Sequence, residues 1–268
     1  MQYSINEFIK ICSNTLPIKG PIYEFGSFQV KGQEHIADLR SMFEGIKYVG
    51  TDMRKGIGVD KVMNYQKIPL KNKSISTSIC CDTLEHTEYP RKAMKELHRV
   101  LKDKGICIIT SVFKFPIHDY PYDYFRYTEK AFESLLKDFD SIYVTSYGAD
   151  EFNPITVVGI GVKDKNFFKN KNNFKTKINQ WKEKYDESAL REKIYNLYVP
   201  LIIRAMFKLT KFIIREIIVR MFPSVHKRIV GMKVNKDTEM NIDTLDIHMA
   251  TRQNQFKSLL EDKNDIKW

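Results

Sequence analysis

At 268 residues the chain has room for one domain of about 160 residues and an appendage of close to a hundred. Its 43% hydrophobic and 29% charged residues, with 12 Gly and 9 Pro, exclude a disordered or low-complexity protein. The net charge of +11 is unevenly placed: residues 1–162 carry 21 Lys+Arg against 20 Asp+Glu, whereas 163–268 carry 23 against 13. An anionic partner of the tail, or simple solubility of exposed helices, would both account for that excess.

The predicted elements alternate strand and helix. Ser4 and Glu7 have capping-box spacing for a first helix. Residues 21–25 read as a strand running into Gly26, and Ile36, Leu39, Met42 and Phe43 repeat at helical spacing up to Gly45. A second strand at 47–51 is closed by Asp52, and a short third covers 59–63. The run 76–81 has β-branched and small-residue character without alternation, as in a strand covered on both faces. Pro90 opens a helix through Met94, Leu97 and Val100, and 106–110 makes a fifth strand. Thr128 is placed as an N-cap, and strands at 141–147 and 155–162 form a final antiparallel pair. The fold class is α/β, a doubly wound, mostly parallel seven-stranded sheet, with a domain at 1–163 and a basic, mainly helical extension at 164–268.

In open α/β sheets ligands bind beyond the carboxyl ends of the strands. Four polar markers fall there. Glu24 and Gly26 end the first strand, Asp52 ends the second, Asn64 follows the third, and Asp82 to His86 follow the fourth. Each alone is an ordinary turn or cap residue, but their order and spacing outline a pocket for an adenosyl ligand. The four cysteines, Cys12, Cys80, Cys81 and Cys107, have no zinc spacing, so no metal is expected and a reduced cytoplasmic setting fits. Met1 is followed by polar residues, without a signal-like apolar run.

The segments YEFGSFQVKGQ (23–33), YVGTDMRKGIGVD (48–60), CCDTLEHTEYPRKAMKELHRVLKDKG (80–105) and FPIHDYPYDYFRYT (115–128) resemble the class I S-adenosylmethionine (SAM)-dependent methyltransferases of the methyltransferase domain 11 type. The last segment is similar to a bacterial subgroup associated with glycans and surface polysaccharides. The resemblance implies a Rossmann-like fold, SAM as cofactor and methyl transfer as the activity. It assigns Glu24 and Gly26 to the first motif, Asp52 to the ribose hydroxyls, Met53 to the adenine face, Asn64 to the adenine amino group and Asp82 to the methionine end. The glycine-rich loop departs from the family pattern, being Gly26-Ser27-Phe28-Gln29-Val30-Lys31-Gly32, and Ser27 and Gln29 are candidates to replace its missing backbone contacts.

For a hydroxyl acceptor, His118 is the first candidate base, with Asp119 beside it to orient the ring, and His86 is the second. Asp119, Tyr122, Tyr124 and Arg126 are candidate contacts to a small-molecule or glycan acceptor. A catalytically silent SAM-binding scaffold is an alternative. Nucleic-acid methylation is disfavoured because neither an Asn-Pro-Pro-Tyr-like motif nor an RNA-binding module is present. In the extension, Arg204, Lys208, Lys211 and Arg215 form one stripe on an apolar helix at 200–222. Its charges argue against a membrane span, leaving burial against the domain or a second subunit, or peripheral docking on a membrane surface.

Overall fold

The computed structural model describes residues 2–198, 208–213 and 217. In chain order the elements are α1 (Tyr3–Thr15), β1 (Ile22–Phe25), α2 (Glu34–Ala37), β2 (Tyr48–Asp52), β3 (Lys61–Val62), β4 (Ile75–Cys81), α3 (Pro90–Val100), β5 (Leu101–Val112), α4 (Glu129–Leu135), β6 (Ser141–Gly148), β7 (Pro154–Val162) and α5 (Asn172–Tyr198). The seven strands form one sheet in the order β3-β2-β1-β4-β5-β7-β6. β1 to β5 run parallel and β7 is antiparallel to both β5 and β6. The chain moves outward from β1 to β3 and then returns to β4 beside β1, which puts the topological switch point between β1 and β4.

The central strands carry no polar alternation because both faces are covered. On one face α3 and α4 bury Ala93, Met94, Leu97, Phe132 and Leu135 against Cys80, Cys107 and Ile109. On the other, α1 and α5 bury Ile5, Phe8, Ile9, Phe174, Ile178 and Trp181 against Ile22, Ile79, Ile108 and Ile160. All four cysteines lie buried as free thiols.

Several local expectations are corrected. Gln2, not Ser4, is the N-cap of α1, and the Ser4 hydroxyl instead lies 2.7 Å from the Tyr147 hydroxyl in the core. The helix expected through Phe43 breaks into α2 and a 3-10 turn at Arg40–Phe43. Asp38 adopts an extended backbone between them, and its carboxylate accepts from the Arg40 amide at 3.0 Å. The third strand shrinks to two residues. Thr128 caps α4 as expected, accepting from the Ala131 amide at 3.2 Å.

The first compact unit continues through Tyr198 and so takes in α5, which the sequence reading had placed in the extension beginning at 164. The reason is a stripe at i, i+4, i+7, i+11 and i+15: Phe174, Ile178, Trp181, Tyr185 and Ala189 face the domain. Trp181 is 1% exposed, lies against Phe8 and Tyr147, and donates its indole N–H to the Ser4 carbonyl at 2.8 Å. The helix expected at 200–222 lies largely outside the described residues; 208–213 and 217 are helical and exposed. Among the described residues no helix is long and apolar enough to cross a membrane.

Candidate functional site

The strand ends around the switch point carry the candidate residues. Gly26 follows β1 with φ +86°, a conformation that favours glycine, and a Cβ there would run into the Thr83 side chain beyond β4. The loops after β1 and β4 therefore lie in direct contact, closing the floor of the crevice. Beyond Gly26, the Ser27 hydroxyl donates to the Gly58 carbonyl at 3.0 Å and the Gln29 amide donates to the Ile57 carbonyl at 3.0 Å. The loop between β2 and β3 is thus zipped onto the loop after β1. Ser27 spends its hydroxyl inside the protein, whereas Gln29 keeps a buried side-chain N–H without a partner.

Asp52, at the end of β2, accepts from the Arg54 amide at 2.8 Å and the Phe28 amide at 3.4 Å. Met53 next to it is 62% exposed. Asn64 is exposed, and its side-chain oxygen accepts from the Gln66 amide at 2.9 Å. Asp82 has a left-handed φ of +45° and is fixed by Thr110, whose hydroxyl donates to its carboxylate at 2.9 Å.

Glu24 is 2% exposed in β1, and Tyr48 donates to its carboxylate at 2.8 Å. Burial pushes its carboxyl up to about 7, against the pull of the Tyr48 hydrogen bond and of Arg40. Glu85 is fully buried past β4. One carboxylate oxygen accepts from the Ser111 hydroxyl at 2.6 Å and the other has no partner. Burial, with the Asp82 charge adding, holds its carboxyl well above the usual range.

The loop after β5 folds over the loop after β4 through several bonds. The Tyr124 amide donates to the Glu85 carbonyl at 2.8 Å, His86 Nδ1 to the Tyr122 carbonyl at 3.0 Å, and the Tyr127 hydroxyl to the Leu84 carbonyl at 3.0 Å. These contacts bring His86 and His118 edge to face with ring centroids 4.6 Å apart. Burial lowers the His86 pKa, favouring the neutral ring.

The residue that orients His118 is Asp123, not Asp119. His118 Nδ1 lies 3.2 Å from the Asp123 carboxylate, which also accepts the His118 amide at 2.9 Å. Burial opposes ionisation of Asp123, but Arg126 and His118 outweigh it and hold the carboxyl at about 2. Arg126 grips Asp123 with two bonds of 2.6 and 2.8 Å and reaches the carbonyls of Phe115 and Pro116. It braces this loop from within, so its guanidinium is committed to the loop and not to an acceptor. Asp119 pairs with Arg54 at 3.4 Å, and Arg54 also lies 3.4 Å from Asp52 and over the Phe28 ring. Tyr122 and Tyr124 are exposed at the same edge.

Asp123 and Arg54 are not among the residues expected from the sequence, and Glu85 falls there only within the marker 82–86. The Asp-x-x-Arg spacing of 123 and 126 was the available signal for the first. Glu85 and Arg54 carry no sequence mark beyond their position.

Residues 38–109 match the model of a methyltransferase domain, a span that takes in Asp52, Asn64, Asp82, Glu85 and His86. No curated protein matches the sequence. Among solved structures, a SAM-dependent methyltransferase from Thermotoga maritima is 18% identical, with a TM-score of 0.45 over 60% of this chain and 89% of that one. One from Aquifex aeolicus is 18% identical, with a TM-score of 0.41 over 60% and 94%. One from Archaeoglobus fulgidus is 12% identical, with a TM-score of 0.44 over 59% and 94%.

The methyltransferase domain match over residues 38–109 supports SAM-dependent methyl transfer as the activity. The chain's residues fit the cofactor: a positive-φ glycine at the switch point, an acidic acceptor at the end of β2, and a buried side-chain donor on Gln29 without a partner among the described residues.

Proposed function

We propose that the protein transfers a methyl group to a hydroxyl oxygen of a small-molecule or glycan acceptor held at the edge formed by His86, His118, Tyr122 and Tyr124. SAM supplies an electrophilic methyl group on a positively charged sulfur. Asp52 would hold the ribose hydroxyls, Met53 and Asn64 would border the adenine, and Gly26 and Asp82 would flank the methionine end. The chain's own task is then to align the acceptor and take its proton.

One observation carries this reading: the His118 ring is held by Asp123 and the Pro116 carbonyl through Nδ1, the latter at 3.1 Å. A ring that donates through Nδ1 keeps its lone pair on Nε2, the form a general base needs. As the C–O bond forms and the methyl–sulfur bond breaks, the bonding pair stays on sulfur and the hydroxyl proton passes to that nitrogen. The exposed tyrosine rings beside the pair are suited to stacking on a sugar face, which favours a glycan acceptor of the surface-polysaccharide type. The basic tail would serve self-association or contact with an anionic membrane surface.

The test is single-turnover methyl transfer from labelled SAM to hydroxyl-bearing saccharides. His118→Ala should slow the chemical step by roughly a hundredfold or more while SAM affinity is kept. Transfer at the wild-type rate would remove His118 from the chemistry.

A further inference from the structure

We propose that Glu85, His86 and His118 form a binding site for a divalent first-row transition metal ion at the acceptor side of the crevice. One donor atom from each of the three lies within 4.8 Å of the other two. Bonds of about 2.0 to 2.2 Å to a common ion would draw such donors to roughly 3 to 3.5 Å from one another, a movement within the reach of side-chain rotation.

The hydrogen bonds show what each donor is free to do. A carbonyl oxygen only accepts, so His86 must donate through Nδ1 to Tyr122, and His118 must donate through Nδ1 to Pro116. Both rings are thereby locked in the tautomer whose Nε2 carries a lone pair, and among the described residues no hydrogen bond engages either Nε2. Glu85 is spoken for on one oxygen by Ser111, while its other oxygen is buried with nothing bonded to it.

A buried carboxylate oxygen without a partner is expensive in a folded protein. Here the carboxylate lies close to two imidazoles, one nitrogen of each ring and one oxygen of Glu85 falling within 4.8 Å of one another. A cation resolves all three at once. The outer contacts have the form that metal-ligating histidines need, with the second ring nitrogen held by a carbonyl or carboxylate: Tyr122 for His86, Pro116 and Asp123 for His118.

Two imidazoles and one carboxylate suit a first-row transition ion better than magnesium or calcium, and three protein ligands leave coordination positions open to an incoming group. The catalytic consequence rests on the hydroxyl-transfer reading above. An acceptor hydroxyl occupying an open position would be acidified, its proton would leave to solvent, and its oxygen would be presented as the nucleophile. One lone pair cannot both bind the ion and take a proton, so in the loaded enzyme His118 is a ligand and its base role passes to the ion.

The experiment uses the full chain, stripped with EDTA and titrated with Co2+ by visible absorbance and calorimetry, with Zn2+ as competitor. Wild type should take up one Co2+ per chain with d–d bands that Zn2+ abolishes. Glu85→Gln and His118→Gln should each bind at least a hundredfold more weakly, and Asp123→Asn, which touches only the outer contact, roughly tenfold more weakly. SAM-induced thermal shifts in the variants report that they are folded; if Glu85→Gln does not fold, the more exposed His118→Gln decides alone. Wild-type Co2+ binding no tighter than that of the folded variants overturns the site. Hydroxyl methylation that persists in protein unable to bind Co2+ would sink the ion while leaving the reading above intact. Co2+ binding with no hydroxyl acceptor methylated would keep the site and sink that reading.

Discussion

Glu24→Gln is the sharpest probe of the crevice, because its effect on stability has a sign and a pH window fixed by the structure. Glu24 is fully buried, and its carboxyl is raised from an ordinary value near 4.5 to about 7. Below pH 4.5 the group is neutral in both the folded and the unfolded chain and costs nothing. Between 4.5 and 7 the unfolded chain sheds the proton that the folded chain keeps, so stability falls as pH rises; above 7 the loss levels off. The rise corresponds to on the order of 3 kcal/mol, an upper figure because the burial that causes it can relax. Glutamine keeps the shape and still accepts from the Tyr48 hydroxyl, whose bond to Glu24 is 2.8 Å. Urea unfolding of both proteins from pH 4.5 to 8 should therefore show equal stability at the acid end and a variant more stable by up to about 3 kcal/mol at pH 8. A difference that does not change with pH would show that Glu24 is ionised as in water, and the burial argument would fall. Buried acids with raised pKa values cluster at functional sites, and Glu24 lies where the cofactor is expected. SAM should accordingly bind the stabilised variant more weakly than wild type.

Three further outcomes follow from the same geometry. Asp52→Ala should weaken SAM binding by about 2 to 3 kcal/mol, roughly 30- to 150-fold by calorimetry, with the domain still folded; unchanged affinity would take Asp52 out of the site. Gly26→Ala, which places a side chain at φ +86° against Thr83, should destabilise by about 1 to 3 kcal/mol and lower SAM affinity, and a wild-type melting temperature would show that the two loops are not in contact. Trp181→Ala should cost about 3 to 5 kcal/mol in chemical denaturation, since the ring is 1% exposed, and a loss under 1 kcal/mol would mean that α5 is not part of the domain core.

The sheet was legible because its signals are local and redundant: an apolar run such as 106–109, a Pro at the start of α3, a Thr cap on α4. The two short helices before β2 were not, because Ile36, Leu39, Met42 and Phe43 keep helical spacing while the break depends on one backbone choice at Asp38. α5 was read as tail because its apolar stripe is interleaved with lysines. Only its packing on Phe8 and Tyr147 reveals that Phe174, Ile178 and Trp181 are core.

The site shows the same division between what neighbours in sequence can and cannot say. Glu24, Gly26, Asp52 and Asp82 lie at or next to strand ends, as the strand pattern in the sequence predicts. The partner of His118 is not found that way. Asp119 is adjacent in the chain, but it takes a left-handed φ of +52° and pairs with Arg54 on the far loop. Asp123, four residues further on, returns beneath the ring because Arg126 clamps it and ties the loop's two ends together through the Phe115 and Pro116 carbonyls. An ion-pair partner at i+1 points to the other side of an extended chain, whereas a partner at i+5 across a turn can face the same atom. The same folding back presents Glu85, buried and half satisfied, to two histidines 32 residues apart in the chain. Residue types and spacing place the polar groups at the strand ends, and the grouping of Glu85, His86 and His118 becomes visible only when the loop closes.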